Sequence, residues 1–472
     1  MANETLTGKD LLALGFPEGK AIGVTLKLLQ AHFAATPLEE QLLLLAQVLA
    51  NPAEYLAHPV LADLAEALTA PKAPGIIPLH DAPIPFTTYG VEGIESGAKR
   101  QMVTAMRLPV AVAGALMPDA HQGYGLPIGG VLATRNAIIP YAVGVDIGCR
   151  MCLTLYPAPA TLITEQRDQL KKILVDNTRF GRATFQKPQE HAVIDRAEFM
   201  EIPVLRGLKD RAFSQLGSSG GGNHFVEFGA VTLSDAQNEF GLPVGEYLGI
   251  LSHSGSRGLG AQIAGHYTKL AMAQTPLPQE ARHLAWLDLD TEAGQEYWLA
   301  MNLAGDYASA CHHQIHARLA QALALEPLAL VENHHNFAWR ELDAQGREVI
   351  VHRKGATPAG LGVLGIIPGS MTAPGFIVRG RGVAASVNSA SHGAGRQMSR
   401  TQAQNTLSPA LVQQHLQAAG IDLIGSGLDE APMAYKDIHQ VMAAQQELVD
   451  VVGTFTPKIV RMCGNEKYLE GE

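Results

Sequence analysis

Gly129-Gly130-Val131-Leu132-Ala133-Thr134, followed by Ala137-Ile138-Ile139-Pro140-Tyr141-Ala142-Val143, decides how the chain is read. Both are short runs of apolar and β-branched residues bounded by glycine or polar turns, and they predict β-strands. The same texture begins near residue 76. Leu361 to Ile367 is a further predicted strand, ended by Pro368-Gly369. Helical patterns interrupt it at 161–175, 294–325, 408–419 and 435–449, and Trp298 to Leu325 spaces its apolar residues by three and four. Strands and helices do not alternate as in a doubly wound fold. Residues 76–472 are therefore expected to form one α+β domain with a large β-sheet core.

Residues 1–75 differ in texture. Pro37 precedes Leu38-Glu39-Glu40-Gln41-Leu42-Leu43-Leu44-Leu45, a helix-start pattern with acids in the first turn. Alanine and leucine dominate to Ala70, and Pro71-Lys72-Ala73-Pro74-Gly75 breaks the pattern. A small all-helical extension is expected there, for packing or oligomerisation.

Of 472 residues, 47% are hydrophobic and 17% charged, and no apolar run reaches membrane-spanning length. Met1-Ala2-Asn3-Glu4-Thr5 lacks an export signature. The four cysteines, at 149, 152, 311 and 463, are too few for a disulfide scaffold and are read as reduced thiols of a cytoplasmic protein. The net charge of −10 argues against wholesale coating of nucleic acid, while leaving room for a local basic cleft.

Five motifs carry the chemistry. Gly144-Val145-Asp146-Ile147-Gly148-Cys149-Arg150 puts a carboxylate and a thiol on a tight turn, within reach of one metal or, with a bridging thiolate, of two. A structural turn with a buried cysteine, or a Cys149/Cys152 pair, are the competing readings. Gly220-Gly221-Gly222-Asn223-His224-Phe225-Val226-Glu227 offers backbone N–H groups to phosphate, with Asn223 and Glu227 able to bond a nucleotide. Ser252-His253-Ser254-Gly255-Ser256-Arg257 again sets a histidine among small residues. In His334-His335-Asn336, neighbouring side chains on a strand point to opposite faces, so one of the two faces a given site. Finally, Ser391-His392-Gly393-Ala394-Gly395-Arg396-Gln397-Met398-Ser399-Arg400 flanks one imidazole with small residues and guanidinium forks suited to phosphate. Such an imidazole can attack phosphorus and hold the phosphoryl group. Singly, each histidine is more often structural than a ligand. Together, Asp146, Cys149, His224, His253 and His335 make a mixed O/S/N set that favours zinc, manganese, iron or cobalt over magnesium. Cys311-His312-His313 with His316, on a long amphipathic helix, is read as structural or surface. Arg353, Lys354, Arg379, Arg381, Arg396 and Arg400 are the candidates for a phosphate-binding strip.

These motifs occur in the order found in the RtcB family of RNA-splicing ligases, which the chain resembles from about Ile94 to Gly464. The resemblance also rests on Met117-Pro118-Asp119-Ala120-His121-Gln122-Gly123-Tyr124-Gly125, His352-Arg353-Lys354-Gly355-Ala356-Thr357, Ile367-Pro368-Gly369-Ser370-Met371 and Glu430-Ala431-Pro432 with Ala434-Tyr435-Lys436-Asp437. It implies an RtcB-type α+β fold and a GTP- and Mn2+-dependent RNA ligase acting in RNA repair or splicing. His392 is implied as the histidine that takes GMP, and Asp146, Cys149, His224, His253 and His335 as the ligands of two manganese ions bridged by Cys149. Asn223, Glu227, Asn336, Ser370, Tyr435 and the Gly393-Ala394-Gly395-Arg396 run are implied as GTP or GMP contacts. Asp119, Arg353, Lys354 and Arg400 are implied to face RNA phosphate. The implied partner is RNA with 3′-phosphate or 2′,3′-cyclic phosphate and 5′-hydroxyl ends, with no membrane. An accessory protein and the oligomeric state are left open. Cys463 stands where the family has a guanine-contacting lysine, with Arg461 or Lys467 as candidate substitutes. A 3′-end capping enzyme or phosphoesterase with the same site, and a non-catalytic RNA- or ribosome-binding protein, are the alternative functions.

Overall fold

The computed structural model describes residues 6–17, 20–69, 75–187 and 190–464, so Lys467 and the Pro71-Lys72-Ala73-Pro74 break lie outside the described residues. The chain divides into two compact units, Met1–Pro74 and Gly75–Glu472. The first unit holds helices Gly8–Ala13, Lys20–His32, Leu38–Ala50 and Ala62–Thr69. Its core is Leu11, Phe16, Leu28, Leu29, Leu45, Val48, Leu61 and Leu64. Burying one leucine side chain contributes about 1.5–3 kcal/mol, and this cluster supplies the apolar contacts among the short helices.

The second unit is α+β. Its larger sheet runs in the spatial order Leu364–Ile367, Gly375–Gly380, Val449–Met462, Phe225–Leu233, Gly245–Ser254, Arg150–Tyr156 and Ala329–His334, with Asp422–Ile424 beside Val449–Met462. Every pair is antiparallel except the last. Strand Arg150–Tyr156 is buried along its whole length, because both faces of the sheet are covered. Phe228 and Ile250 pack with Ile315 and Leu319 of the helix Glu292–Leu323 on one face. Leu153, Leu155 and Leu251 pack with Ile377 and Phe455 on the other. A second sheet contains Thr87–Thr88, Ala111–His121, Ile128–Thr134, Glu348–Lys354 and Asn336–Leu342 in that order.

Two predicted elements differ. Ala137–Val143 is not one strand: Ala137–Ile138 pairs with Leu287–Asp288, and Pro140–Val143 is a helical turn. Pro140 fixes φ near the helical value and has no N–H for a ladder, which suits the first helical position and ends the strand. The helix expected over 435–449 shrinks to Ile438–Ala443, capped by Asp437 through His439 N–H. Its signal had merged with Val449-Asp450-Val451-Val452, which belongs to the long strand Val449–Met462. Leu361 to Val363 lies in the turn ahead of strand Leu364–Ile367.

Candidate active site and metal centre

One end of the larger sheet gathers the donor atoms. Pairing of Arg150 with both Ser254 and His334, and of Phe225 with His253, brings these strand ends level. Cys149 precedes its strand, His224 precedes Phe225–Leu233, His253 is the penultimate residue of Gly245–Ser254, and His335 follows Ala329–His334. Asp146 enters from the turn after Pro140–Val143. A methyl group on Gly255 would come within 2.1 Å of Asp146 Oδ1, so only glycine there leaves room for the carboxylate.

The donors form two triads, Cys149/His253/His335 and Asp146/Cys149/His224, with the ligand atoms of each within 4.8 Å of one another. Cys149 Sγ is common to both, 3.1 Å from His253 Nε2 and 3.5 Å from His224 Nε2. His224 Nε2 lies 2.9 Å from Asp146 Oδ2, and His253 Nε2 lies 3.3 Å from His335 Nε2. The Nδ1 of His253 donates to Asn223 O over 3.1 Å, which leaves its Nε2 lone pair facing the cluster. Burial, reinforced by Asp146, pushes the Cys149 thiol well up, and burial holds the His253 imidazole down near 3 and that of His335 well below its ordinary value. The imidazoles are therefore neutral. A thiol that resists ionising alone and two neutral imidazoles beside a carboxylate fit a cation that supplies the missing charge. Cys152 lies apart from Cys149, with His312 and His316, as expected for opposite faces of one strand, so the Cys149/Cys152 pair is not formed. His312 and His316 are buried and share Ser252 Oγ, at 2.6 and 2.7 Å. His334 stacks on Trp339 instead, 4.9 Å between ring centroids.

His392 follows the short strand Ser389–Ser391, and its ring centroid lies 5.0 Å from that of His335. Its Nδ1 donates to Asp119 Oδ2 over 2.6 Å, and its backbone N–H donates to the same oxygen over 3.1 Å. Burial raises the Asp119 carboxyl, but the adjoining His392, with Lys436 and His121, outweighs it and holds the group below the usual carboxylate range. A carboxylate on Nδ1 fixes the tautomer in which Nε2 carries the lone pair. Gly395, at φ +72°, passes so close that a methyl group would lie 2.1 Å from Asp119 O.

A cavity of about 370 Å3 opens onto both His392 and the donor cluster. Its wall includes Asn223, Glu227, Asn336, Lys354, Ser370, Gly393, Ala394, Gly395, Arg396, Arg400 and Tyr435. Glu227 is buried, and burial pushes its carboxyl well above the usual range. Arg396 and Arg400 reach Glu430, at 3.1 and 2.7 Å, and Tyr435 OH donates to the same carboxylate.

Several placements correct the expected phosphate strip. Arg353 is 1% exposed and does not line the cavity; it pairs with Glu341 at 2.6 Å and stacks on Trp339. Arg379 is taken up by Asp235 and Glu239, and Arg381 by Asp450. Asp119 is fully buried and faces His392 rather than a phosphate path. Arg461 donates to Leu174 O over 2.6 Å below Phe180, so it does not stand in for a base-contacting lysine. Sequence reasoning missed the Asp119–His392 pair and the Glu430 hub. Both residues stood in quoted motifs, but nothing in the sequence marked their partners.

The family model described as tRNA-splicing ligase RtcB matches residues 101–202 and 196–462. The chain is 34% identical over 412 residues to the RNA-splicing ligase RtcB1 of Escherichia coli strain ATCC 25922, covering 80% of this chain and 97% of that one. It is also 34% identical over 415 residues to the RNA-splicing ligase RtcB of Escherichia coli strain K12, with the same coverage. Against the tRNA-splicing ligase RtcB of Nanoarchaeum equitans it is 30% identical over 416 residues, 73% of this chain and 87% of that one.

Proposed function

The chain belongs to the RtcB family, and from that premise we propose that it is a GTP- and Mn2+-dependent RNA ligase. It would join RNA 3′-phosphate or 2′,3′-cyclic phosphate ends to 5′-hydroxyl ends through a guanylylated His392. The observation that carries this reading is the 2.6 Å contact of His392 Nδ1 with Asp119, beside donor triads that share one thiol. A binding protein has no use for a nucleophile aimed in this way.

Two manganese ions, when bound, would be held by Asp146, Cys149 and His224 and by Cys149, His253 and His335, and would neutralise phosphate charge. His392 Nε2 attacks the α-phosphorus of GTP, and the bond to pyrophosphate breaks. The ring then carries GMP on Nε2 and a proton on Nδ1, and Asp119 balances the positive charge. After water has opened a cyclic end, the RNA 3′-phosphate attacks the phosphorus on His392 and takes GMP. The 5′-hydroxyl of the second RNA displaces GMP. Dividing the joining through a covalent intermediate replaces one difficult step with easier ones. Glu227, Asn223, Asn336, Ser370, Tyr435 and the backbone of Gly393 to Gly395 provide polar groups along the cavity for the nucleotide.

Incubation with α-labelled GTP and Mn2+, followed by denaturing analysis, tests the reading. Acid-labile label on the wild type and none on His392→Ala is expected, with joined product once both RNA ends are supplied. Metal-loaded protein that takes no label would overturn it. Guanylylated 3′ ends that accumulate without joined product would make the protein a capping enzyme.

A further inference from the structure

The cavity that holds His392 meets a second, open groove of about 2000 Å3. The two share a short stretch of wall, where an RNA end lying in the groove would come closest to His392. The polar side chains of that wall are Ser370, Arg396, Arg400, Tyr435 and His121. Arg396, Arg400 and Tyr435 all engage Glu430. The Ser370 hydroxyl sits 3.5 Å from that of Thr372.

His121 is different. Its Nδ1 lies 3.2 Å from the main-chain O of Asp119. A carbonyl oxygen only accepts, so Nδ1 carries the proton and Nε2 carries the lone pair. No described residue hydrogen-bonds that Nε2, and His121 is half-buried. Asp119 thus holds two imidazoles in the same tautomer: His392 through its carboxylate and His121 through its main chain. The groups facing His121 are Asp119, His392 and Lys436, whose ammonium is tied to Pro118 O and Ala120 O at 3.1 and 2.8 Å. Burial first, then His392 and Lys436, lower the His121 pKa to about 4 against the opposing pull of Asp119, so the ring is neutral near pH 7.

We propose that His121 Nε2 is the base that takes the proton of the attacking 5′-hydroxyl in the sealing step. The inference rests on the ligase reading above. In this step the hydroxyl oxygen forms a bond to the phosphorus of the activated 3′-phosphate. The bond from that phosphorus to GMP breaks, and GMP leaves with the electron pair. The hydroxyl proton passes to His121 Nε2 and from there to solvent in the groove. The assignment separates the two histidines by role: His392 bonds to phosphorus, and His121 handles a proton.

The test measures two half-reactions in single turnover, on full-length wild type, His121→Asn and His121→Ala loaded with Mn2+. One is labelling from α-labelled GTP. The other is sealing of RNA prepared in advance with a guanylylated 3′ end to a 5′-hydroxyl RNA. The Asn variant retains an N–H that can reach Asp119 O. In both variants the ratio of sealing to labelling should fall by about 10²–10⁴-fold, the usual contribution of a general base. Added imidazoles should restore sealing by His121→Ala in the order of their base strengths, a response that a merely structural role would not give. Unchanged sealing, an equal fall in both half-reactions, or no response to imidazoles would overturn the assignment. Wild type that takes no label but seals the pre-activated ends would defeat the His392 reading, and the variants would still decide His121. Wild type that does neither would defeat both.

Discussion

Asp119→Asn isolates the electrostatic setting of His392, the proposed nucleophile. The native carboxylate is fully buried, and one oxygen accepts both the ring proton and the backbone N–H of His392, at 2.6 and 3.1 Å. In the proposed mechanism, when His392 takes GMP the ring becomes cationic and the contact becomes a bond between charges. A hydrogen bond to a charged partner contributes about 1.5–3 kcal/mol. At about 1.4 kcal/mol per tenfold, its loss slows guanylylation by about ten- to 150-fold. An amide that turns its NH2 toward the ring favours the other tautomer and adds to that loss. Stability should fall modestly. Although Asp119 Oδ1 is buried without a hydrogen-bond partner, His392 and Lys436 hold the carboxyl below its ordinary range, so the fold favours the charged form that the substitution removes. The assay is the rate of acid-labile labelling from α-labelled GTP at saturating Mn2+, with urea unfolding of the same preparations. A labelling rate within about threefold of wild type, less than about 0.7 kcal/mol in barrier at room temperature, would refute the reasoning. A slower rate that tracks a matching loss of folded protein would refute it too.

Further expectations follow from the same geometry. If the two donor triads hold two Mn2+ ions as proposed, Cys149→Ala should lose both, whereas His335→Ala should keep the one at Asp146/Cys149/His224; metal analysis after gel filtration would count them, and retention of both by Cys149→Ala would count against a shared thiolate. Gly255→Ala should displace Asp146 and deplete that same ion, because its methyl group would arrive 2.1 Å from Oδ1; full metal content would refute this. Gly395→Ala should cost about 1–3 kcal/mol in urea unfolding, from a side chain at positive φ pressed against Asp119 O. Burial pulls the Lys354 ammonium down to about 7. The unfolded chain therefore binds the extra proton from about pH 7 to pH 10, and the cost of burying Lys354 fades as pH rises through that window. Wild type should gain stability relative to Lys354→Met between pH 7 and 9, and parallel curves would contradict this.

What the sequence disclosed depended on whether the cause was local. The strand Ile128–Thr134 and the helix Glu292–Leu323 were legible because their periods are written in consecutive residues. Pro140 turned a predicted strand into a helical turn through a constraint that was equally local but overridden in the reading by its apolar neighbours. The donor residues other than Asp146 stood out because each lies at a strand end, where an apolar run gives way to small residues around one histidine or cysteine. A ligand in that position meets the others only if the strands stop level, and the pairing of Arg150 with both Ser254 and His334 makes them do so. The partner of His392 was not legible. Asp119 and His392 are 273 residues apart, on chain segments that no periodicity relates. Charge was the poorest guide. Arg353 and Arg396 look alike in sequence, and carboxylates claim both, Glu341 and Glu430, although only Arg396 lines the cavity. An arginine advertises phosphate binding only when no carboxylate has already claimed it, and where the carboxylates lie is a property of the fold. By the same argument, the Nε2 of His121 is more informative than any of the arginines: in the wall shared by the two cavities, Arg396, Arg400 and Tyr435 are engaged by Glu430 and Ser370 contacts Thr372.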